Sequence, residues 1–243
     1  MSAPLRLAMW SGPRNLSTAL MYAFAARGDC AVWDEPFYAC YLEATGIDHP
    51  LRAETLAAWD RDAQRVAAAC ARGVPGPAIH YQKHMCQHMV AGIPRGWMAQ
   101  VTNVFLIRHP ARVMASFAAG YGAAGLADLG FLQQRELFEA EADRLGRAPL
   151  VVDSADIRRD PAGTLGALCT ALGIGFGPAM LRWEAGPRPF DGPWAPHWYG
   201  AVHRSTGFAG PEGPLPVLSG EAARIAEAAR PAYEALAGYA LRP

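Results

Sequence analysis

The stretch that decides the fold reads LRLAMW (5–10), SGPRNLST (11–18) and ALMYAFAA (19–26). Its first part is short and apolar and runs into Ser-Gly-Pro, which is typical of a buried strand that ends in a tight turn. Its last part is rich in Ala, Leu and Met, which are strong helix formers. We therefore predict a strand, a loop and a helix, with Ser17 or Thr18 capping the helix.

The loop between this strand and helix has the chemistry of an anion site. The start of a helix presents unpaired N–H groups and a partial positive charge. Arg14 adds a full charge, and the hydroxyls of Ser17 and Thr18 add hydrogen bonds. The alternative is a turn that binds nothing. The loop lacks the Gly-x-x-x-x-Gly-Lys-Ser/Thr pattern of ATP and GTP sites, which argues against a nucleoside triphosphate bound with magnesium.

Composition limits the class of protein. A chain of 243 residues with 51% hydrophobic and 18% charged residues suits one large globular domain, which we assign to residues 1–243. A formal net charge of zero gives no general attraction to nucleic acid or to an anionic membrane. We find no signal peptide, no apolar run of membrane-spanning length and no Cys-x-x-Cys pair among five cysteines, so we expect a cytoplasmic protein with reduced thiols.

Further strands and helices alternate along the chain. We predict short strands at 29–34, 78–82, 101–107 and 149–152. The segments 51–72 and 126–147 predict amphipathic helices, and Asp160-Pro161 marks the start of another helix. This alternation predicts an α/β fold of three layers, with a central parallel sheet flanked by helices.

Polar side chains stand at the predicted ends of the strands. Pro36 keeps Glu35 out of helical geometry at the end of the second strand. Ser116 lies two helical turns after Arg108, which ends the fourth strand. The carboxyl ends of parallel strands meet at one edge of a sheet, so we expect one shared site. Its predicted members are Arg14, Ser17, Thr18, Glu35, Lys83, His84, Arg108 and Ser116.

Three of these residues are candidates for catalysis. Glu35 has the chemistry of a general base, although a solvated loop glutamate is the alternative. Lys83 is the only lysine in the sequence and would stabilise developing negative charge. His84 is a competing base. His84 and His88 have the spacing of one helical face, but the Glu of the metalloprotease pattern is missing, and we expect no metal.

These motifs together resemble the sulfotransferases that use 3′-phosphoadenosine 5′-phosphosulfate (PAPS). The segment 13–18 resembles their 5′-phosphosulfate loop, and Arg108-His109-Pro110 with Ser116 resembles their 3′-phosphate motif. Asp34-Glu35-Pro36 is similar to the Glu-Pro of bacterial members. The segment 204–207 resembles their C-terminal cofactor loop.

The resemblance implies a P-loop-like fold and transfer of a sulfuryl group from PAPS to a hydroxyl or amine of a small-molecule acceptor, which leaves 3′-phosphoadenosine 5′-phosphate (PAP). It implies a base role for Glu35, with Lys83 and Arg14 holding the transferred group. The implied cofactor contacts are Arg14, Asn15, Leu16, Ser17, Thr18, Arg108, Ser116, Arg204, Ser205, Thr206 and Gly207. The chain departs from the family at Asn15-Leu16, where Ser-Gly is usual.

Three other functions remain open at this point. One is a kinase or nucleotide hydrolase of related topology. Another is a pyridoxal-phosphate aminotransferase in which Lys83 forms the Schiff base. The last is a fold without enzymatic activity that binds an acceptor or partner but no PAPS.

Overall fold

Parallel strands form the centre of the fold. The computed structural model describes residues 4–121 and 125–242. Within these residues the sheet has five strands in the order β2-β3-β1-β4-β5, and all neighbouring pairs are parallel. The predicted parallel sheet is therefore confirmed. Its strands are β1 Leu5–Ser11, β2 Cys30–Asp34, β3 Ile79–Met85, β4 Thr102–Ile107 and β5 Leu150–Asp153.

Helices connect the strands and cover both faces of the sheet. They are α1 Ser17–Ala25, α2 Tyr38–Thr45, α3 Arg52–Ala58, α4 Ala63–Arg72, α5 Pro110–Tyr121, α6 Phe131–Leu145, α7 Ser154–Arg159, α8 Pro161–Ala171, α9 Ala195–Trp198, α10 Gly200–His203 and α11 Gly220–Ala237. Among them, no helix in the described part of the chain is long and apolar enough to cross a membrane.

Alternation along β1 divides the core into two layers. Ala8 and Trp10 face a cluster that includes side chains of α4 and α6. Leu7 and Met9 face the opposite cluster, built from α1 and α8. Successive side chains of a strand point to opposite faces, so one strand serves both layers. Burial on both sides explains why Leu7 to Trp10 are all apolar, as is typical of strands in parallel sheets.

The order of the strands places β1 at the point where the chain changes direction across the sheet. From β1 the chain crosses first to β2 and β3 on one side, and then to β4 and β5 on the other. In open parallel sheets, the crevice for a ligand lies beyond the carboxyl end of the strand at this point. The loop that follows Ser11 occupies this position.

The segment 51–72 is not one helix, and that prediction is wrong. Helix α3 ends at Ala58, the backbone of Trp59 is extended, and α4 begins after Asp62. The Asp62 side chain accepts hydrogen bonds from Gln64 N at 2.9 Å and Arg65 N at 3.2 Å. An aspartate that bonds the following backbone N–H groups favours a helix start over a helix interior.

Helix α8 tests the predicted start at Asp160-Pro161. The Asp160 side chain accepts from Gly163 N at 2.9 Å, and Pro161 is the first helical residue. Replacement of Asp160 by Ala removes this cap, and we expect the free energy of unfolding to fall by about 1 kcal/mol in urea denaturation. Asp160→Asn keeps an acceptor and should lose far less. An equal loss in both variants would contradict the capping role.

Candidate active site

The loop between β1 and α1 adopts an unusual backbone conformation. Arg14 has φ 59° and Leu16 has φ 72°, so both lie in the left-handed region that favours glycine. Leu16 is the N-cap of α1, and no side chain caps the helix. The prediction that Ser17 or Thr18 caps α1 is wrong, because Ser17 is already the first helical residue. No side chain of the described residues therefore satisfies the first N–H groups of α1.

Two neighbours of Arg14 hold the loop against the rest of the fold. Asn15 Nδ2 donates to the Leu106 carbonyl at 3.2 Å, which ties the loop to β4. Gly12 lies so close to the Leu129 carbonyl oxygen that an added Cβ would be 2.4 Å from it. The loop is therefore fixed by contacts on both sides.

The structure brings together three residues of the predicted cofactor site. Arg14 Nε donates to Ser116 Oγ at 3.0 Å, although 102 positions separate them in the sequence. Arg108 Nη1 donates to the Arg14 carbonyl at 2.5 Å. The phosphosulfate-like loop and the 3′-phosphate-like motif thus form one continuous surface at the ends of β1 and β4.

A carboxylate pairs with the arginines of this surface. Glu212 forms an ion pair with Arg108 and lies 3.1 Å from Arg112 Nε and 3.0 Å from Arg158 Nη1. Burial lowers the pKa of Arg108, while Glu212 opposes this shift. Sequence reasoning missed Arg158 and Glu212. Arg158 follows β5 by five positions, so its place at a strand end was a usable signal.

The segment 204–207 packs against a different part of the chain. Trp183 N donates to the Thr206 carbonyl at 3.2 Å, and Trp183 Nε1 donates to Ser205 Oγ at 3.1 Å. Gly207 forms an isolated antiparallel bridge with Arg182. Arg108 instead contacts Glu212, which lies five positions after Gly207 in the sequence. The cofactor role of Arg204, Ser205, Thr206 and Gly207 therefore stays a prediction.

A second polar cluster is buried between β2 and β3. Lys83 Nζ donates to Asp34 Oδ1 at 3.0 Å and to the Tyr199 hydroxyl at 2.6 Å, and it pairs with Glu35. Only 1% of the Lys83 side chain is exposed. Tyr199 OH lies 2.9 and 2.8 Å from the two Asp34 carboxylate oxygens. Trp194 Nε1 donates to the Tyr199 hydroxyl at 3.0 Å. Sequence reasoning did not place Tyr199 in this cluster.

The backbone positions this cluster. The sequence predicted Lys83 at the end of β3. That prediction is wrong, because β3 continues to Met85 and Lys83 lies inside the strand. Lys83 pairs in register with Asp34 of β2. Glu35 has φ 42°, and its N–H donates to the Lys83 carbonyl at 3.0 Å. The carboxylate is thereby turned toward the lysine.

Burial and charge oppose one another in this cluster. Burial raises the pKa of Glu35, and Lys83 acts in the opposite direction without reversing the shift. Burial also lowers the pKa of Lys83, but its ion pairs with Asp34 and Glu35 outweigh this effect and leave the pKa raised. The lysine therefore keeps its charge, and the glutamate binds a proton more readily than an exposed one does.

His84 and His88 do not share a helical face, and that prediction is wrong. His84 lies in β3, whereas His88 ends a short 3-10 turn. His84 stacks on Trp10 with ring centroids 4.6 Å apart, and its Nε2 lies 3.1 Å from Gln82 Oε1. Burial lowers the pKa of His84 to about 3. Within residues 4–121 and 125–242, no group of three or more His, Cys, Asp and Glu side chains could hold a metal ion.

His88 is buried near the second cluster. Its ring stacks against the rings of Tyr38 and Tyr41, with centroid distances of 4.7 and 4.8 Å. His88 Nε2 lies 3.9 Å from Glu35 Oε2. Burial lowers the pKa of His88 far below its ordinary value, so the ring is neutral. An aromatic layer therefore covers one side of Glu35.

A family model for the sulfotransferase domain matches residues 5–240. The chain belongs to the sulfotransferase domain family. It is also similar to the sulfotransferase domain from the curacin biosynthetic pathway, with 17% identity, a TM-score of 0.51, and coverage of 94% of this chain and 98% of that one. This likeness supports the predicted P-loop-like three-layer fold.

Two plant proteins are similar in sequence to this sulfotransferase domain. Branched-chain-amino-acid aminotransferase-like protein 1 of Arabidopsis thaliana is 39% identical over 212 residues, which cover 87% of this chain and 38% of that protein. Branched-chain-amino-acid aminotransferase-like protein 2 of the same organism is 38% identical over 203 residues, which cover 84% of this chain and 36% of that protein. The chain thus spans less than two fifths of either relative.

The buried lysine allows a test of the second cluster. We expect Lys83→Met to lower the free energy of unfolding by about 3–5 kcal/mol, because the carboxylates of Asp34 and Glu35 would stay buried without their cation. Urea denaturation measures the loss. The double variant Lys83→Met/Glu35→Gln should recover part of it, since one uncompensated charge is then removed. A double variant no more stable than Lys83→Met would contradict the pairing.

Proposed function

We propose that this chain transfers a sulfuryl group from PAPS to a hydroxyl or amine of a small molecule. The observation that carries the proposal is the meeting of Arg14, Arg108 and Ser116 beside the uncapped start of α1. These residues come from two strand ends that sequence reasoning had assigned to the two phosphate-bearing ends of one nucleotide. The sulfotransferase family of the chain supports the same reaction.

The donor set on this surface suits PAPS. The backbone of residues 14–17 and the Arg14 side chain would hold the 5′-phosphosulfate, since helix N–H groups and guanidinium forks both bind oxyanions. Arg108 and Ser116 would hold the 3′-phosphate. The ion pair of Arg108 with the Glu212 carboxylate supports the placement of an anion here. When bound, PAPS supplies the sulfuryl group and a stable phosphate leaving group.

Glu35 is the residue that we assign as general base. A carboxyl with a raised pKa is better matched to proton abstraction near neutral pH than an exposed one. Tyr199 and Lys83 fix its orientation through hydrogen bonds. Lys83 also supplies a permanent charge beside the site of transfer, which would stabilise the negative charge that develops there. Sulfuryl transfer, like phosphoryl transfer, depends mainly on alignment and charge stabilisation.

His84 is less suited to this role. Its ring is enclosed by Trp10, Trp97 and Phe37, and its Nε2 already faces Gln82. A pKa of about 3 makes it a poor proton acceptor at neutral pH. We therefore assign His84 to packing.

The alternatives are less well supported. An aminotransferase would need Lys83 as a Schiff-base lysine, but its Nζ contacts Asp34, Glu35 and Tyr199 in a buried cluster. The aminotransferase-like proteins match this chain over less than two fifths of their length, and their name does not transfer a function to it. A kinase or nucleotide hydrolase would need the phosphate-loop lysine that residues 11–18 lack.

We further propose that the acceptor is a small molecule and that the reaction takes place in the cytoplasm without a metal ion. The five cysteines are all free thiols. The neutral net charge provides no basis for binding nucleic acid or an anionic membrane. Arginine and lysine side chains take the place that a metal has in many phosphoryl transfer sites.

Glu35→Gln tests the base. We expect turnover with PAPS to fall by about 10²–10⁴-fold, because the amide accepts no proton. The affinity for PAP, measured by isothermal titration, should stay the same. In the wild type the rate should rise with pH through the pKa of Glu35, which lies above the ordinary 4.5. Unchanged turnover in Glu35→Gln would assign the proton transfer to another group, such as His84.

The binding of PAP tests the donor. We expect the wild-type protein to bind PAP, and we expect Arg108→Gln to weaken binding about tenfold or more, since a charge-assisted hydrogen bond contributes about 1.5–3 kcal/mol. Arg135→Gln is the matched control, because this exposed arginine forms an ion pair with Glu139 of the same helix. A wild-type protein that does not bind PAP would contradict PAPS as the donor.

A further inference from the structure

Three arginines surround one buried carboxylate at the ends of β4 and β5. Glu212 contacts Arg108, Arg112 and Arg158, and only 4% of its side chain is exposed. A guanidinium stays charged under all ordinary conditions. These four side chains therefore carry more positive than negative charge, and a carboxylate alone does not balance them.

Arginine side chains also attach the loop that carries Glu212. This loop spans residues 209–218, between α10 and α11. Arg158 Nε donates to the Gly210 carbonyl at 2.8 Å, and Arg112 Nη2 donates to the Gly213 carbonyl at 2.5 Å. Gly213 has φ 69°, and Val217 is 99% exposed. The segment is held to the protein by the same side chains that hold its carboxylate.

We propose that Glu212 is an internal anion that occupies this three-arginine site until a ribose 3′-phosphate displaces it. Arg112 and Arg158 then bind the phosphate together with Arg108. This inference rests on the proposed function, because PAPS and PAP are nucleotides that carry such a phosphate.

The chemistry of the two anions favours the exchange. A phosphate monoester carries a charge of about −1.5 to −2 and three acceptor oxygens, whereas a carboxylate carries one charge and two oxygens. Three guanidinium groups can each donate to a separate phosphate oxygen. Arg108 Nε is buried without a hydrogen-bond partner in the described part of the chain. This N–H group can therefore donate a further hydrogen bond to a bound anion.

This arrangement makes Glu212 a determinant of donor specificity. A nucleotide with a 3′-hydroxyl has no charge with which to replace the carboxylate, so it would not open the site. In the opposite arrangement, Glu212 stays in place and accepts a hydrogen bond from the ribose hydroxyl, as acidic residues do in dinucleotide sites. The two arrangements predict opposite preferences between PAP and adenosine 5′-monophosphate (AMP).

Isothermal titration of PAP and AMP into three variants separates these arrangements. We expect Glu212→Gln to bind PAP about tenfold more tightly than the wild type, equivalent to 1.4 kcal/mol, because the internal competitor has lost its charge. Arg158→Gln should bind PAP about tenfold more weakly. Neither change should alter AMP binding. Glu227→Gln is the control for charge, since this residue pairs with Arg230 on an exposed face of α11.

Two results would overturn the inference. One is a Glu212→Gln protein that binds PAP no more tightly than the wild type. The other is a wild-type protein that binds AMP as tightly as PAP, which would mean that Glu212 stays in place. Either result leaves the proposed function intact if the wild type still transfers sulfuryl from PAPS. Loss of both PAP binding and PAPS turnover in the wild type would instead contradict the proposed function itself.

A second measurement keeps Glu212 unchanged, in case its substitution prevents folding. A spin label attached through Val217→Cys reports the mobility of the loop from an exposed position. We expect PAP to change the spectrum and AMP to leave it as it is. The parent protein without the Val217→Cys change is treated with the same label, to measure any reaction of the native cysteines. A spectrum that does not change when PAP is bound would overturn the inference.

Discussion

Positive charge collected at one edge of a parallel sheet is the constraint on which the rest of this structure depends. Parallel strands all end at the same edge, so side chains from distant parts of the sequence meet there. In this protein Arg14, Arg108 and Arg158 follow three neighbouring strands, and Lys83 lies in a fourth. Each of these charges must be solvated or paired when the core closes around it.

The protein compensates these charges in two different ways. Lys83 is enclosed by two carboxylates and a tyrosine hydroxyl, and Asp34, Glu35 and Tyr199 are all buried. The arginines are compensated by Glu212, which stands on a loop without regular structure. A buried cation with fixed partners suits a residue that stabilises charge during a reaction. Cations with an exchangeable partner suit a binding site.

The parallel sheet could be predicted from the sequence, because most of its strands are short and largely apolar and each is followed by a turn or loop. The same pattern located Arg14, Arg108 and Ser116, whose meeting requires only that the strands be parallel. The end of β3 was misplaced because Gln82, Lys83 and His84 are polar, although β3 buries all three. Lys83 is buried with Asp34 of β2 and with Tyr199. Gln82 donates to the Cys70 carbonyl and His84 stacks on Trp10, and no local pattern reveals these partners. Glu212 was missed for the same reason: its arginine partners lie more than 50 positions away.

Leu16 shows how a departure from a family pattern can leave the geometry intact. A leucine with φ 72° costs about 1–3 kcal/mol relative to an ordinary conformation, which glycine would avoid. One contact of Leu16 and one of Asn15 offset this strain. The Leu16 side chain packs against the core layer that contains α1, and the adjacent Asn15 side chain bonds the backbone of β4. The loop therefore reaches the conformation that opens the start of α1 through side-chain packing, where the family usually relies on the backbone freedom of glycine.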